Sequence, residues 1–487
     1  MTKTLYPEQQ ESRILTNKNL NRKINTALLM PCGCGKTFTS AAIIADRIKL
    51  KRRVFVLVPQ REIFNQWMDE LHENGLNPGY INKEGIRGRD RMVYVCMAQS
   101  LANIKNNIPE DIWPDEVFLD ECQHTLAPFY FDTYSYFKRH NSASLVGLTA
   151  TLHHGSGGSF KPYFDDMVQT IRKPDAIKKG YITRPAVIVP NEFLAEIDIP
   201  MVGEDYDMEA QAELLGDPMI IGDVLDTYEK LFQGKPVIVP CATYGQANYM
   251  ADVFRKAGWK ADHIHSKLPD ADRDRILKDV ANQKTNALFT VGIGIEGLSI
   301  NGLWGVMWLR RTLSPITWTQ FNGRAERLLD GKEFALIVDF VGNVFIHGLP
   351  EHEREWTLDG IDIESDDEKC VMQKCPYCGT MQAKDNELCW LCLKPMHDEE
   401  ADAERQKKGR KLPVMVDGEL VALDDEVRQK INDANEKRKI EIKEEEEERV
   451  MNEDRPVSLA EKNDIIRKNL FNGRRKGMFG DAVRGFM

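Results

Sequence analysis

The segment Met30-Pro31-Cys32-Gly33-Cys34-Gly35-Lys36-Thr37 constrains this chain most, because it lies between the apolar run Ala27-Leu28-Leu29 and a stretch suited to start a helix. Gly33 and Gly35 let the backbone turn so that consecutive N–H groups, that of Cys34 among them, face one point. Such a loop at a helix N-terminus favours phosphate oxygens. Lys36 is positioned to reach the β- and γ-phosphates of a nucleotide, and the Thr37 hydroxyl to ligand Mg²⁺. The first glycine of the common form of this loop is absent, Met30 standing in its place. A glycine pair at a strand-to-helix turn is not specific by itself, so the reading needs an acidic partner elsewhere.

The segment Val117-Phe118-Leu119-Asp120-Glu121-Cys122-Gln123-His124 supplies one. Adjacent carboxylates are common on solvated loops and helix starts, but the apolar residues before this pair argue for the end of a buried strand. In phosphoryl transfer to water, Asp120 is suited to hold Mg²⁺ and Glu121 to polarise the attacking water. Far along the chain, Gln320, Arg324 and Arg327 recur at spacings of four and three, which puts them on one face of a helix. Planar guanidinium groups there suit the charge that develops on a γ-phosphate. Because this helix follows the β-like run Trp304 to Leu309, residues from both halves of the chain are expected to close one site.

The chain has 487 residues, more than one core accommodates; at roughly 150 residues per domain it allows about three units. Apolar strands alternate with amphipathic segments: Val54–Val58 then Ile63–Leu71, Ser144–Leu148, and Pro236–Pro240 then Ala247–Ala257. That alternation predicts two α/β domains with mostly parallel sheets. No apolar run approaches the ~18 residues that a membrane span requires. The formal net charge of -11 bears on solubility and bulk steering; it does not exclude a local basic groove.

Further segments in order then carry a resemblance. The chain is similar to superfamily 2 helicases of the type III restriction-subunit and phage branch-migration kind. Leu5-Tyr6-Pro7-Glu8-Gln9 resembles the family's adenine-reading element, with Gln9 at the base-contacting position and Tyr6 where an Arg is usual. Val56 to Trp67, which contains Pro59 and Arg61, resembles motif Ia, and Val95 to Leu101, which contains Gln99 and Ser100, resembles Ib. Gly147-Leu148-Thr149-Ala150-Thr151 is similar to motif III. Val239 to Met250, with Thr243, Gly294 to Ile300, with Gly297, and Gln320 to Arg327 look like motifs IV, V and VI. The resemblance covers residues 1–350. It implies ATP and Mg²⁺ as cofactors, Gln9, Gly33, Cys34, Gly35, Lys36 and Thr37 around the nucleotide, and Asp120 on the metal. It implies Gln123, Thr149 and Thr151 as coupling residues, and Pro59, Arg61, Gln99, Ser100, Thr243 and Gly297 on nucleic acid. Two positions depart from the pattern: Gln123 stands where His or Asp is usual, and Ser299 where many relatives carry Asp. A Gln still donates and accepts one hydrogen bond each way.

Beyond this, Cys375-Pro376-Tyr377-Cys378 and Cys389-Trp390-Leu391-Cys392 form two Cys-x₂-Cys knuckles separated by ten residues. Their thiolates suit one tetrahedral Zn²⁺, which would hold so short a ribbon folded. Cys96, Cys122 and Cys241 read as buried small hydrophobes, and Cys370 and His397 as bystanders, with a place as substitute ligands the second reading. Val414 to Val421 alternates around Asp-Gly as a hairpin does, residues 426–450 are charge-rich and free of proline, and Arg474-Arg475-Lys476 lies near the end.

These observations predict an α/β protein with two tandem RecA-like parallel-sheet domains (1–195 and 196–358), a zinc ribbon (359–400), and a hairpin with a charged helical tail (401–487). The expected activity is ATP hydrolysis driving a DNA helicase, on single-stranded, forked or branched DNA and with little sequence specificity. A duplex translocase, an RNA helicase and a zinc-ribbon adaptor with a weak motor are the alternatives. The tail is a candidate contact for a replication or recombination protein. The expected location is the cytoplasm, or the host cytoplasm if the chain is phage-encoded.

Overall fold

Short runs of aliphatic and β-branched residues, buried on both faces, build this protein. In the strand Val54–Val58 every residue is buried, as in Glu116–Asp120 and Ser144–Thr149. Continuous apolar strands of this kind belong in parallel sheets covered by helices on both sides. The computed structural model describes residues 4–123, 128–153, 158–190, 199–203, 205–215, 218–265, 267–292, 300, 302–359 and 372–396. The expected hairpin and helical tail lie outside the described residues, as do His124, Gly297, Ser299, Cys370 and His397. Among the described residues no helix is long and apolar enough to cross a membrane.

The first sheet has eight strands: β1 (Thr26–Leu29), β2 (Val54–Val58), β3 (Gly79–Asn82), β4 (Gly85–Arg87), β5 (Val93–Met97), β6 (Glu116–Asp120), β7 (Ser144–Thr149) and β8 (Asp166–Val168). Their order is β4-β3-β5-β2-β6-β7-β1-β8, parallel except for the β3–β4 pair. Helices α1 (Pro7–Asn21), α2 (Lys36–Lys49) and α3 (Arg61–Glu73) follow one another around β1 and β2. At the far end of α2, Arg47 forms a buried ion pair with Glu116 at the start of β6, Nη2 to Oε1 2.6 Å. The helix that opens with Lys36 is thereby fixed to the strand that ends with Asp120.

The second sheet is β9 (Arg184–Ile188), β12 (Val237–Cys241), β13 (Ala261–Ile264), β14 (Ala287–Val291), β15 (Gly305–Trp308), β16 (Phe334–Asp339), β17 (Met372–Lys374) and β18 (Thr380–Ala383), in the order β13-β14-β12-β15-β16-β9-β18-β17. A separate two-stranded ribbon joins β10 (Met201–Val202) to β11 (Asp205–Tyr206). The two large, mostly parallel sheets have the form of tandem RecA-like domains.

Three details differ from the expected division. Arg184–Ile188, placed before the 195/196 break, hydrogen-bonds in parallel to β16 and so belongs to the second sheet, while Ile182 still packs in the first core. Trp356 and Leu358, counted with the second half, pack on the first core, and the Leu358 carbonyl accepts from the Phe160 N–H. The cysteine ribbon is not a separable appendage: β18 pairs antiparallel with β9, Thr380 opposite Ile188 and Met381 opposite Val187. Added strands cover an edge that would otherwise expose unpaired N–H and C=O groups. Trp390 of the ribbon then receives the Arg184 guanidinium 3.9 Å from its ring centroid and meets Phe334 edge-on. Trp390→Ala is therefore expected to cost about 1–3 kcal/mol of unfolding free energy, read as a lowered denaturation midpoint. An unchanged midpoint would show that the docking carries no stability.

Candidate functional site

The C-terminal edge of a parallel sheet is where loops can gather polar groups, and both sheets use it. After β1 the backbone turns through Gly33 and Gly35, and α2 begins at Lys36. Gly35 has φ +76°, and a Cβ there would lie 2.5 Å from Gln9 Nε2, so only glycine fits. Gln9, nearly fully buried, donates from Nε2 to the Cys34 carbonyl at 2.8 Å and accepts from the Tyr6 N–H. Tyr6, which replaces the usual Arg, stacks on Tyr181 with ring centroids 4.0 Å apart.

Asp120 ends β6 and Glu121 follows in a left-handed conformation, φ +52°, a strained state for glutamate that recurs at functional sites. The Lys36 ammonium lies 2.9 Å from Asp120 Oδ1 and 3.2 Å from Glu121 Oε1. Burial works against that charge, yet the two carboxylates hold the lysine pKa above its ordinary value. Gln123 links the acid pair to the third motif: its Nε2 donates to Glu121 Oε2 at 2.8 Å, and its Oε1 lies 2.8 Å from Thr149 Oγ1. Thr149 Oγ1 in turn accepts from the Thr151 N–H.

The second sheet reaches the same place. The helix Pro315–Ala325 carries Gln320, whose Nε2 donates to Glu121 Oε2 at 3.3 Å. A Cβ on Gly323 would lie 2.4 Å from Cys32 Cβ, so this helix touches the phosphate loop directly. Arg324 is on the helix, but Arg327 lies two residues beyond its last turn. Lys332 ends the helix there, its ammonium donating to the carbonyls of Leu303, Ala325 and Arg327. Gln320, Arg324 and Arg327 nevertheless share one cavity of about 330 Å³ with Gly33, Lys36, Thr37, Asp120 and Glu121.

The described residues expected on nucleic acid lie along the same edges. Pro59 and Arg61 follow β2, Gln99 and Ser100 open the helix after β5, and Thr243 caps the helix after β12. Arg61 is engaged across the sheets with Asp270 and Asp274 at 2.9 and 3.1 Å, next to an Arg273–Glu62 pair at 2.9 Å. Sequence reasoning gave no role to Trp67 or Lys332. A tryptophan on the apolar face of a helix carries an N–H that usually finds a partner when buried, and that signal was available for Trp67.

The four ribbon cysteines are buried, with their Sγ atoms all within 4.8 Å of one another. Cys375–Cys392 and Cys378–Cys389 are 3.6 and 3.5 Å apart, close to the roughly 3.8 Å separation of thiolates around a tetrahedral Zn²⁺.

Comparison with known proteins agrees with this geometry. Residues 2–154 match the type III restriction enzyme res subunit, and residues 222–328 match the helicase conserved C-terminal domain. The chain belongs to the superfamily 2 helicases. As a member it is an ATP-hydrolysing, restriction-subunit-like motor. A 51.5 kDa protein of a Lactococcus phage is 25% identical over 372 residues, 74% of this chain and 76% of that one. The putative mitochondrial ATP-dependent helicase irc3 of Schizosaccharomyces pombe is 27% identical over 332 residues, 65% of this chain; the match spans 54% of that relative's length. Among solved structures, a fragment of a putative HsdR subunit of a type I restriction enzyme from Vibrio vulnificus has a TM-score of 0.55 at 19% identity, over 73% of this chain and 69% of that one. The DNA-bound type ISP restriction-modification enzyme LlaBIII has a TM-score of 0.51 at 17% identity, over 69% of this chain and 27% of that one. Both likenesses are of fold.

The contact between the helicase's two halves yields a direct test. Gly323→Ala pushes the Pro315–Ala325 helix off Cys32, and displacements near 1 Å at a reacting centre cost about a hundredfold. Turnover of ATP is expected to fall at least about tenfold while the first half still binds nucleotide. Parental turnover would show that this approach is not required.

Proposed function

We propose that this protein is an ATP- and Mg²⁺-dependent DNA helicase acting on forked or branched DNA, by unwinding or branch migration. One observation carries the reading: Gln320, Arg324 and Arg327 of the second sheet line one cavity with the phosphate loop and acid pair of the first. A nucleotide in that cavity touches both halves, so its binding and hydrolysis change how they hold each other. The loop amides after β1 cradle the phosphates, and Lys36 leaves the acid pair for their oxygens. Glu121 takes the proton of the attacking water, and Arg324 and Arg327 stabilise the charge on the transferred group. Thr37 and Asp120 are the Mg²⁺ ligands; hard oxygen donors suit that ion, and the ammonium already between the carboxylates marks the cleft as one that favours a cation. When bound, the ion neutralises phosphate charge. Gln123 carries the state of Glu121 to Thr149 and Thr151.

Nucleic acid lies along the C-terminal edges that carry Pro59, Gln99, Ser100 and Thr243. Backbone contacts of this kind give grip without base readout, hence little sequence specificity. DNA, as opposed to RNA, is supported by the match of residues 2–154 to the type III restriction enzyme res subunit. The division between the motor domains is drawn at Thr183, and the four ribbon cysteines hold Zn²⁺.

ATPase rates measured on single strands, duplex, forks, four-way junctions and RNA are expected to rise most with forked or branched DNA, and DNA affinity to fall steeply with salt. Equal hydrolysis with and without every polymer would overturn the motor reading; strongest stimulation by RNA would overturn the choice of DNA. Arg327→Ala should abolish the stimulation and leave nucleotide binding. Glu121→Gln should lower turnover at least roughly a hundredfold and spare binding, whereas Lys36→Ala should weaken binding itself. Elemental analysis should find about one zinc per chain, lost when two of the four cysteines become serine; metal-free protein under reducing conditions would refute the site.

A further inference from the structure

We infer that Trp67 is a positioning residue for Asp120, and that helix α3 thereby sets the geometry of the metal ligands; this rests on the nucleotide-site reading above. Trp67 is fully buried, and its indole Nε1 donates to Asp120 Oδ2 at 2.7 Å. The other oxygen, Oδ1, takes the Lys36 ammonium at 2.9 Å and the Glu121 N–H at 3.0 Å. Each carboxylate oxygen thus has its own donor, and the indole fixes the plane of the group. A charged acceptor makes this the stronger kind of hydrogen bond. One residue earlier on the same helix, Gln66 Nε2 lies 3.4 Å from Thr37 Oγ1. Both side chains named above as Mg²⁺ ligands are therefore touched by consecutive residues of α3.

The helix is held at its other end. Its first turn carries Arg61 and Glu62, which pair with Asp270, Asp274 and Arg273 of the helix Asp270–Ala281 on the second sheet. Between those pairs and the first core, where Trp67 packs with Ile63 and Leu71, α3 holds the indole against the end of β6. A buried indole usually finds a partner for its N–H, and a backbone carbonyl would have served; the buried Trp318 indole of the other half has none among the described residues. For Trp67 the partner is the one carboxylate whose orientation the metal requires. Partners of metal ligands typically change metal affinity by ten- to a hundredfold when removed.

Trp67→Phe keeps a large aromatic ring and deletes the N–H. Binding of fluorescent ADP to the full chain is measured with Mg²⁺ and with EDTA. The affinity in EDTA is expected to stay within about twofold, while the gain on adding Mg²⁺ shrinks about tenfold. The Mg²⁺ concentration for half-maximal ATPase should rise in step. Because loss of the indole could also loosen the core, the same substitution is made in the Asp120→Asn background. There, a residue acting through Asp120 causes no further loss of the Mg²⁺-dependent gain, whereas general damage adds in full. An unchanged Mg²⁺ gain in Trp67→Phe, or full additivity in the double variant, overturns the inference alone. A parent protein that binds ADP equally with and without Mg²⁺ overturns the metal-site reading as well.

Discussion

Three charged groups in one buried cleft govern this structure: the Lys36 ammonium and the carboxylates of Asp120 and Glu121. A lone buried ammonium would lose its proton, and two adjacent buried carboxylates would repel each other; together they are stable only if held in register. Much of the surrounding architecture serves that register. Glu121 accepts a left-handed backbone, and Gln123 and Gln320 each donate to its second oxygen. Trp67 occupies the remaining oxygen of Asp120. Because one positive charge faces two negative ones, the cleft retains appetite for a further cation, and Arg324 and Arg327 approach from the other half.

Parallel sheets make this arrangement possible. In the order β6-β7-β1, the strand bearing the acid pair, the strand bearing Thr149 and the strand preceding the phosphate loop are neighbours and end on the same edge. Leu29 is opposite Thr149, and Asp120 opposite Leu148. Residues distant in sequence are thus brought together by backbone pairing of neighbouring strands. The buried Arg47–Glu116 ion pair then locks α2 to β6, at the end away from the chemistry.

The parts of the site legible in the sequence are those coded over a few residues. A phosphate loop needs its glycines and lysine in a row, an acid pair needs a strand before it, and a Cys₄ ribbon needs two knuckles. Gln123 was legible as a bridge because an amide both donates and accepts. What escaped depends on pairing across long separations. Nothing in Arg184–Ile188 says that its outer edge will be covered by Thr380–Ala383, so the ribbon read as detached. The four-and-three spacing puts Arg327 on the helix, yet the helix ends two residues before it, where the Lys332 ammonium donates to the Ala325 and Arg327 carbonyls. Arg61 offers a charge that suits phosphate and carboxylate alike, and its spacing cannot reveal Asp270 and Asp274 waiting on another element.

The chain passes between its two halves three times, the last time between Leu358 on the first core and Met372 on the second sheet. It leaves the first core at Ile182 and enters the second sheet at Arg184; it leaves the second core at Leu349 and is back on the first by Trp356. The outward passage is short, and the return is held to the segments it spans by Arg184–Glu351 and Arg172–Glu353 ion pairs. Ion pairs cross the same boundary: Lys173 of the first half meets Glu326 of the second at 2.8 Å, and Glu62 meets Arg273 at 2.9 Å. Parting the halves therefore exchanges these pairs for water as well as straining the covalent connections, so the closed arrangement is held by groups that solvent can replace and the chain itself keeps the halves within reach of each other.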